Sequence, residues 1–197
     1  SADGDQTVSI TASVNDPATA DTVYQGLADQ NFNVTVTNID SAGYTVAETG
    51  GSTSVSETLT TDTFTVVLGT QPTGNVVFDV SSSDTGEASV SSSTLTFTTG
   101  DWSSAQTITI TGVNDNIDDG DQFSTITVSV NGSTVDATYT ALDNQTVNVT
   151  TTDNDTAGFT VSESGGSTSV SETGTTDTFE VVLNTEPTGN VVFDLTS

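Results

Sequence analysis

The chain repeats itself with a period of 115 residues. Asn33–Gly43 reads NVTVTNIDSAG, and Asn148–Gly158 reads NVTTTDNDTAG. The 41 residues that begin at Ala42 and the 41 that begin at Ala157 are identical at 32 positions. A period of this length exceeds the ~20–45 residues of helical solenoid units, but it suits a whole β-sandwich domain of about 100 residues. The sequence therefore predicts a tandem array of β-sandwich modules.

The phase of the repeat predicts where the modules begin and end. One alternating segment ends with Asp153-Asn154-Asp155, and a near copy of the sequence that begins at Ala42 starts at Ala157. Taking this triplet as a junction, we expect residues 41–155 to form one complete module. Residues 1–40 are then the C-terminal part of a preceding module, and residues 156–197 are the N-terminal part of the following one.

Apolar and polar residues alternate with period two along the chain, as in Phe64, Val66 and Leu68. This pattern is typical of strands with one buried face and one solvated face. Gly-Gly and Pro-Thr-Gly-Asn turns separate the segments. The prediction is an all-β fold of Ig-like antiparallel sandwiches. The candidate strands are Thr7–Val14, Phe32–Thr37, Tyr44–Ala47, Thr53–Val55, Thr63–Leu68, Asn75–Val80, Thr94–Phe97, Gln106–Thr111, Phe123–Val130 and Thr146–Thr150.

The charge balance is one-sided, with 27 carboxylates and no Lys, Arg or His. Such a net charge opposes compaction by self-repulsion, so bound cations or high salt must supply the positive charge. Disorder is an alternative for a composition of this kind, and the strand alternation argues against it. Nucleic acids and anionic membranes are poor partners, because both require Lys or Arg patches. The chain has no Cys, which excludes disulfides and thiolate metal sites.

The sequence resembles the Calx-beta motif known from sodium–calcium exchangers and bacterial surface proteins. The residues that carry the resemblance are VSETLTTDTF from Val55, TLTF from Thr94, AQTITI from Ala105, and the closing acidic triplet. Composition and tandem arrangement are similar to the extender repeats of giant repeats-in-toxin (RTX) adhesins of marine Gram-negative bacteria. The resemblance implies an Ig-like sandwich with Ca²⁺ sites built by loops that converge at one end.

Calcium takes six to eight oxygen ligands, favouring carboxylates, amides and backbone carbonyls. At the earlier junction, Asn38-Ile39-Asp40 carries fewer charges than Asp153-Asn154-Asp155, so a weaker site is expected there. Neither an EF-hand nor a Gly-Gly-x-Gly-x-Asp repeat is present. Carried onto this sequence, the metal ligands that the resemblance implies are Glu48, Asp84, Asp115, Asp118, Asp119, Asp121, Asp153 and Asp155, with Asn38 and Asp40 at the earlier junction.

The alternative for these acids is a solvated surface of the kind found in halophilic proteins. That explanation suits scattered residues such as Asp62, Asp79 and Asp136. It suits the acidic runs at residues 115–121 and 153–155 poorly, because clustered carboxylates repel one another unless a cation lies among them.

Catalysis is not expected, because the usual nucleophiles and general bases His, Cys and Lys are missing. Carboxylate pairs such as Glu48/Glu57 or Asp84/Glu87 are conceivable for a glycosidase. A copy of the first pair recurs at Glu163/Glu172, however, which favours a repeated structural unit over a single active site.

The resemblance implies a calcium-rigidified extender, or spacer, of a large bacterial surface adhesin. The region would project a distal ligand-binding domain from the surface of a Gram-negative, marine bacterium for attachment or biofilm formation. Its partners would be neighbouring modules of the same protein. Two alternatives stay open: a subunit of an extracellular fibre or surface layer that self-associates end to end, and a carbohydrate- or protein-binding module. Trp102 could stack on a sugar in such a module, but its place just before a strand favours a packing residue at the edge of the sandwich.

Overall fold

The computed structural model describes residues 1, 3–15 and 17–197, and strands make up most of its regular structure. No helix in these ranges is both long enough and apolar enough to cross a membrane. The strands are β1 (Gln6–Ala12), β2 (Gln30–Val36), β3 (Tyr44–Glu48), β4 (Thr53–Ser56), β5 (Thr61–Leu68), β6 (Val76–Ser82), β7 (Ala88–Val90), β8 (Thr94–Phe97), β9 (Gln106–Gly112), β10 (Gln122–Val130), β11 (Gln145–Thr152), β12 (Phe159–Glu163) and β13 (Phe179–Leu183).

Strands β3 to β11 form two sheets. One has five strands in the order β4-β11-β10-β6-β8, and the other has four in the order β3-β5-β9-β7. The predicted all-β, Ig-like antiparallel sandwich is confirmed, with one exception: β4 and β11 pair in parallel. A 3₁₀ turn at Thr49–Gly51 connects β3 to β4, and Gly50 and Gly51 adopt φ of +84° and +85° there. This turn lets the chain leave one sheet and join the other.

The core lies between these two sheets and is built from the inward positions of the alternating segments. The aromatic rings of Tyr44 and Phe78 lie 4.6 Å apart, and those of Phe78 and Phe97 lie 6.1 Å apart. Each fully buried large side chain contributes about 1.5–3 kcal/mol of transfer free energy. The fully buried core residues are Phe64, Val66, Val76, Phe78, Ala88, Phe97, Ile108, Ile110, Ile126, Val128 and Tyr139. The expectation of a solvated Asp136 is wrong: this residue is only 3% exposed, because its carboxylate accepts hydrogen bonds from Thr73 and Thr138 in the interior.

Strand β9 ends against the turn that follows β4, at Gly112. A Cβ at this position would lie 2.2 Å from the carbonyl oxygen of Ser56. Only glycine allows this approach of two backbones. The approach brings Glu57, the next residue after Ser56, to the end of the sandwich where the β9–β10 connection begins.

Two further hairpins flank the sandwich, and their registers repeat those inside it. In the pairing of β1 with β2, Ile10 faces Phe32, as Ile126 faces Val147 in the pairing of β10 with β11. The pairing of β12 with β13 repeats that of β3 with β5. Unlike their counterparts, the apolar side chains of these two hairpins are largely exposed.

Candidate metal centre

Acidic residues from four segments meet at one end of the sandwich. Glu57 directly follows β4, Glu87 directly precedes β7, and Asp155 lies just beyond the end of β11. Asp115 and Asp119 belong to the connection between β9 and β10, residues 113–121, called the acidic loop below. Because β4, β9 and β11 all reach this end of the fold, residues distant in sequence become neighbours.

The carboxylates form two groups of three that share one member. One carboxylate oxygen each from Glu57, Asp115 and Asp155 lie within 4.8 Å of one another. A second group, with the same spacing, consists of Glu87, Asp115 and Asp119. Asp115 therefore stands between two candidate cation positions.

Two of these carboxylates are nearly inaccessible to solvent. Glu57 is 1% exposed and Glu87 is 8% exposed. Oε2 of Glu87 and Oδ2 of Asp155 are buried atoms with no hydrogen-bond partner. Buried acids without a counter-charge are costly, and the sequence has no basic side chain that could pair with them.

The local environment raises the pKa of the buried carboxyls. Burial raises the pKa of Glu57, a hydrogen bond from the Asn154 backbone partly opposes this, and nearby acids raise it further. Burial also raises the pKa of Glu87, as do the charges of Asp119 and Asp115. For Asp155, burial again raises the pKa most, followed by the charge of a neighbouring acid. Each shift has the sign expected for negative charges that lack a cation.

The residues present fit a hard divalent cation. The ligand atoms on offer are all oxygens, which suit calcium or magnesium rather than softer metals. The two buried oxygens without a hydrogen-bond partner belong to Glu87 and Asp155, which lie among other carboxylates. A cation would coordinate these oxygens and offset the repulsion between the carboxylates. The geometry supports a cation centre formed by Glu57, Glu87, Asp115, Asp119 and Asp155.

Three of the expected ligands hold backbone in place instead of lying in these groups. The Asp153 carboxylate accepts hydrogen bonds from the backbone N–H groups of Asp119 (3.1 Å), Gly120 (2.8 Å) and Asp155 (2.7 Å). These bonds lower the pKa of Asp153, with the Asp155 N–H contributing most. Asp121 accepts from the N–H of Asp153 (3.3 Å). Asp118 accepts from the N–H of Ala157 (2.7 Å), beyond the end of the sandwich.

Two more expected ligands, Glu48 and Asp84, also lie outside both groups. Asp84 accepts a hydrogen bond from the Gly86 N–H (2.9 Å), and its charge helps to raise the pKa of Glu87. Glu48 ends β3, is half-buried, and pairs with Phe64 across the ladder. Its assignment as a ligand stays a prediction, as do those of the other nine residues.

The earlier junction repeats the local turn of the later one. Asn38 accepts a hydrogen bond from the Asp40 N–H (2.9 Å), as Asp153 does from the Asp155 N–H. Asp5 accepts from the Asn38 N–H (2.8 Å), as Asp121 does from the Asp153 N–H.

Glu57 and Glu87 were missed as ligands by the sequence reasoning, which weighed them only as catalytic acids. A signal for Glu57 was available. Thr53 and Val55 are the buried positions of β4, and Glu57 continues their period-two phase into the interior. A carboxylate at an inward position, in a chain without basic residues, indicates a bound cation. No comparable pattern marks Glu87.

No family model matches the chain, and no curated protein matches it. Among solved structures, the apo-form Calx CBD1 domain covers 57% of this chain and 98% of its own length, at 13% identity and a TM-score of 0.37. Domains 4 and 5 of the S-layer protein SbsC cover 64% of this chain at 25% identity, and the chain spans 54% of their length, with a TM-score of 0.38. The E. coli chaperone DraB covers 58% at 8% identity, with 57% of its own length aligned and a TM-score of 0.40. At these TM-scores the likenesses carry no conclusion about family or function.

Proposed function

We propose that the chain belongs to the calcium-stiffened extender region of a large bacterial surface adhesin, where tandem modules hold a distal binding domain away from an extracellular surface. The observation that carries this proposal is the pair of carboxylate groups that share Asp115, with Glu57 and Glu87 buried in them. Nothing else in the chain can neutralise them, so a cation becomes part of the working module. The adhesin role and the marine Gram-negative setting rest on the sequence resemblance.

Calcium suits these residues better than magnesium. A centre of five carboxylates drawn from four separate connections matches the variable, high-coordination shell of calcium. Magnesium requires near-ideal octahedral geometry and keeps most of its water. When bound, the cation supplies the positive charge that Glu57, Glu87 and Asp155 lack, and it would draw the acidic loop against the ends of β4 and β11.

The acidic loop also contacts the residues that follow the sandwich, which links the cation centre to the junction. Some residues of the acidic loop lie in the carboxylate groups, and others contact the segment that follows the sandwich. Asp115 and Asp119 face the carboxylate groups, whereas the Asn116 carbonyl accepts from the Glu186 N–H (2.7 Å) and the Asp118 carboxylate accepts from the Ala157 N–H (2.7 Å). Ordering the loop by a cation therefore restricts the hinge between residues 41–155 and the segment after it.

Small-angle X-ray scattering on the size-purified monomer tests this function. At millimolar calcium we expect an extended particle. Removal of calcium at equal ionic strength should lower the maximum dimension of the particle, because the hinge loosens. Sodium chloride keeps the ionic strength equal in the calcium-free sample, so charge screening is the same in both samples and only occupancy of the centre differs. An unchanged maximum dimension with and without calcium would contradict the spacer role.

A further inference from the structure

Two asparagine side chains connect carboxylates of the candidate metal centre to one another. The Asn154 amide nitrogen, Nδ2, donates to Oε2 of Glu57 at 3.2 Å and to Oδ1 of Asn114 at 2.9 Å. The Asn114 amide in turn donates to the backbone carbonyl of Asp115. A chain of amides therefore runs from one member of the first carboxylate group, Glu57, to the backbone of another, Asp115.

The chemistry of the two groups determines which end of the Asn154 amide faces Glu57. An ionised carboxylate only accepts hydrogen bonds, whereas an amide nitrogen offers two N–H donors. The backbone N–H of Asn154 also donates to Oε2 of Glu57, at 3.2 Å. Because the sequence has no Lys, Arg or His, neutral donors of this kind are what the chain itself can offer to a buried acid.

The Asn154 side chain holds the half of the acidic loop that Asp153 does not hold. Asp153 accepts from the N–H groups of Asp119 and Gly120, near the end of the loop. Asn114 lies near its beginning, next to Asp115, the residue that both carboxylate groups share. The amide of Asn154 therefore keeps Asp115 close to Glu57 at the end of β4.

The strand ends themselves are held by bonds that do not involve the Asn154 side chain. The Glu57 N–H donates to the Thr152 carbonyl at 3.1 Å, and the Asp155 N–H donates to Asp153 at 2.7 Å. Loss of the amide should therefore free the beginning of the acidic loop and leave the backbone of Glu57 and Asp155 in place. At the earlier junction the corresponding residue is Ile39, whose side chain has no donor.

We propose that Asn154 is a positioning residue of the cation centre, an inference that rests on the proposed function. In the cation-free protein, its amide holds Asp115 beside Glu57, so these carboxylates are already gathered when a cation arrives. Ligands that are held near their final places lose less conformational entropy on binding, and the affinity rises accordingly. Asn154 acts here as a hydrogen-bond donor and not as a ligand.

Hydrogen exchange of the full chain, followed by mass spectrometry in the presence of a chelator, tests this link. The backbone amides of residues 114–117 should exchange about tenfold faster in Asn154→Ile than in the wild type, the factor that corresponds to one lost hydrogen bond. Asn154→Asp should exchange as fast as Asn154→Ile, because a carboxylate cannot donate. Unchanged exchange of β5 and β9 verifies that both variants fold.

Asn148→Ile is the matched control, because Asn148 is exposed on the outer face of β11 and lies outside the chain of amides. It makes the same chemical change as Asn154→Ile and should exchange like the wild type. Calorimetric titration with calcium completes the test. The dissociation constant should rise about tenfold in Asn154→Ile and stay at the wild-type value in Asn148→Ile.

The outcomes separate this inference from the proposed function. A wild type that binds no calcium would contradict the proposed function, and the positioning role would fall with it. A wild type that binds calcium, together with unchanged exchange of residues 114–117 in Asn154→Ile or Asn154→Asp, would overturn the positioning role alone. Weaker calcium binding by Asn154→Ile without faster exchange in chelator would make Asn154 a ligand, which also overturns the proposal.

Discussion

The same chemical group behaves in opposite ways at neighbouring positions of the candidate metal centre. The Asp153 carboxylate accepts three backbone N–H groups, which lower its pKa. Glu57 is buried among acids with little compensation, and its pKa is raised. A carboxylate that holds backbone in place is therefore already satisfied, whereas Glu57, Glu87 and Asp155 still lack a positive partner.

The Glu57→Gln variant tests whether Glu57 binds the cation or only supports the fold. The amide keeps the shape of the side chain but loses its charge, so most of the calcium-induced rise in melting temperature should disappear. In cation-free buffer the variant should be more stable than the wild type by about 1–3 kcal/mol, because a buried charge has been removed.

Glu48→Gln is the matched control for this variant, since Glu48 lies outside both carboxylate groups. It should keep the calcium response of the wild type. Thermal melts with calcium and with a chelator measure both effects. If the calcium-induced rise in melting temperature were lost in Glu48→Gln and kept in Glu57→Gln, Glu48 would be the ligand. That result would contradict the candidate centre.

Lowering the pH from about 7 to about 5 in metal-free buffer should raise the melting temperature. A group whose pKa is raised by folding stabilises the fold below its unfolded pKa, and this contribution is lost as the pH rises through the folded pKa. Glu57 and Glu87 are such groups, with an ordinary pKa of 4.5.

A carboxyl whose pKa is lowered by folding has the opposite effect, since it destabilises the fold as the pH falls. That loss occurs only in solution more acidic than about pH 5. Burial alone would raise the pKa of Asp136, but hydrogen bonds from Thr138 and Thr73 outweigh it and lower the pKa below its ordinary 3.8. That contribution is lost as the pH falls through the lowered value. Calorimetry across this pH range measures the slope, which the double variant Glu57→Gln, Glu87→Gln should flatten. A melting temperature that falls from pH 7 to pH 5 in the wild type would contradict the assignment.

At the scale of elements, the strands were predictable where the period-two pattern is long. Phe64, Val66 and Leu68 predicted β5, and the structure buries all three. Strand β7, at Ala88–Val90, was missed because Gly86 before it and the serines at 91–93 after it are typical of a loop. The parallel pairing of β4 with β11 was also missed, because it joins residues 96 positions apart and no local pattern encodes such a contact.

Two single substitutions should separate the role of the acidic loop in cation binding from its contact with the segment after the sandwich. Asp119→Ala removes a carboxylate from the second group and should weaken the calcium response. Asp118→Ala removes the bond to the Ala157 N–H but no member of either carboxylate group, so it should keep that response but loosen the hinge.

Spin labels can measure the hinge directly, because the chain has no native cysteine. Ser103→Cys and Ser167→Cys place labels at exposed sites on either side of the junction. With calcium present, the distribution of label-to-label distances should be broader in Asp118→Ala than in the same chain with Asp118 intact. Equal widths would show that the bond from Ala157 to Asp118 does not restrict the hinge.

At the scale of the whole molecule, the 115-residue repeat carried most of the predictive power. It predicted modules of sandwich size, whereas the end where acids gather was implied by the family resemblance; the structure brings Asp115, Asp119 and Asp155 to one end. The position of Glu57 depends on the close approach of Gly112 to Ser56, a contact between backbones that the sequence does not display. The division into residues 1–40, 41–155 and 156–197 remains a prediction.

The parallel pairing of β4 with β11 determines how a module in an array would respond to mechanical load. Tension enters near the first strands of the module and leaves after β11, so it slides β4 and β11 lengthwise past each other. Their hydrogen bonds then share the load, and none can open alone. On the proposed function, a cation held by Glu57 and Asp155, just beyond the ends of these two strands, pins the sliding pair together. Resistance to stretching would then depend on a four-residue strand and on the calcium concentration outside the cell.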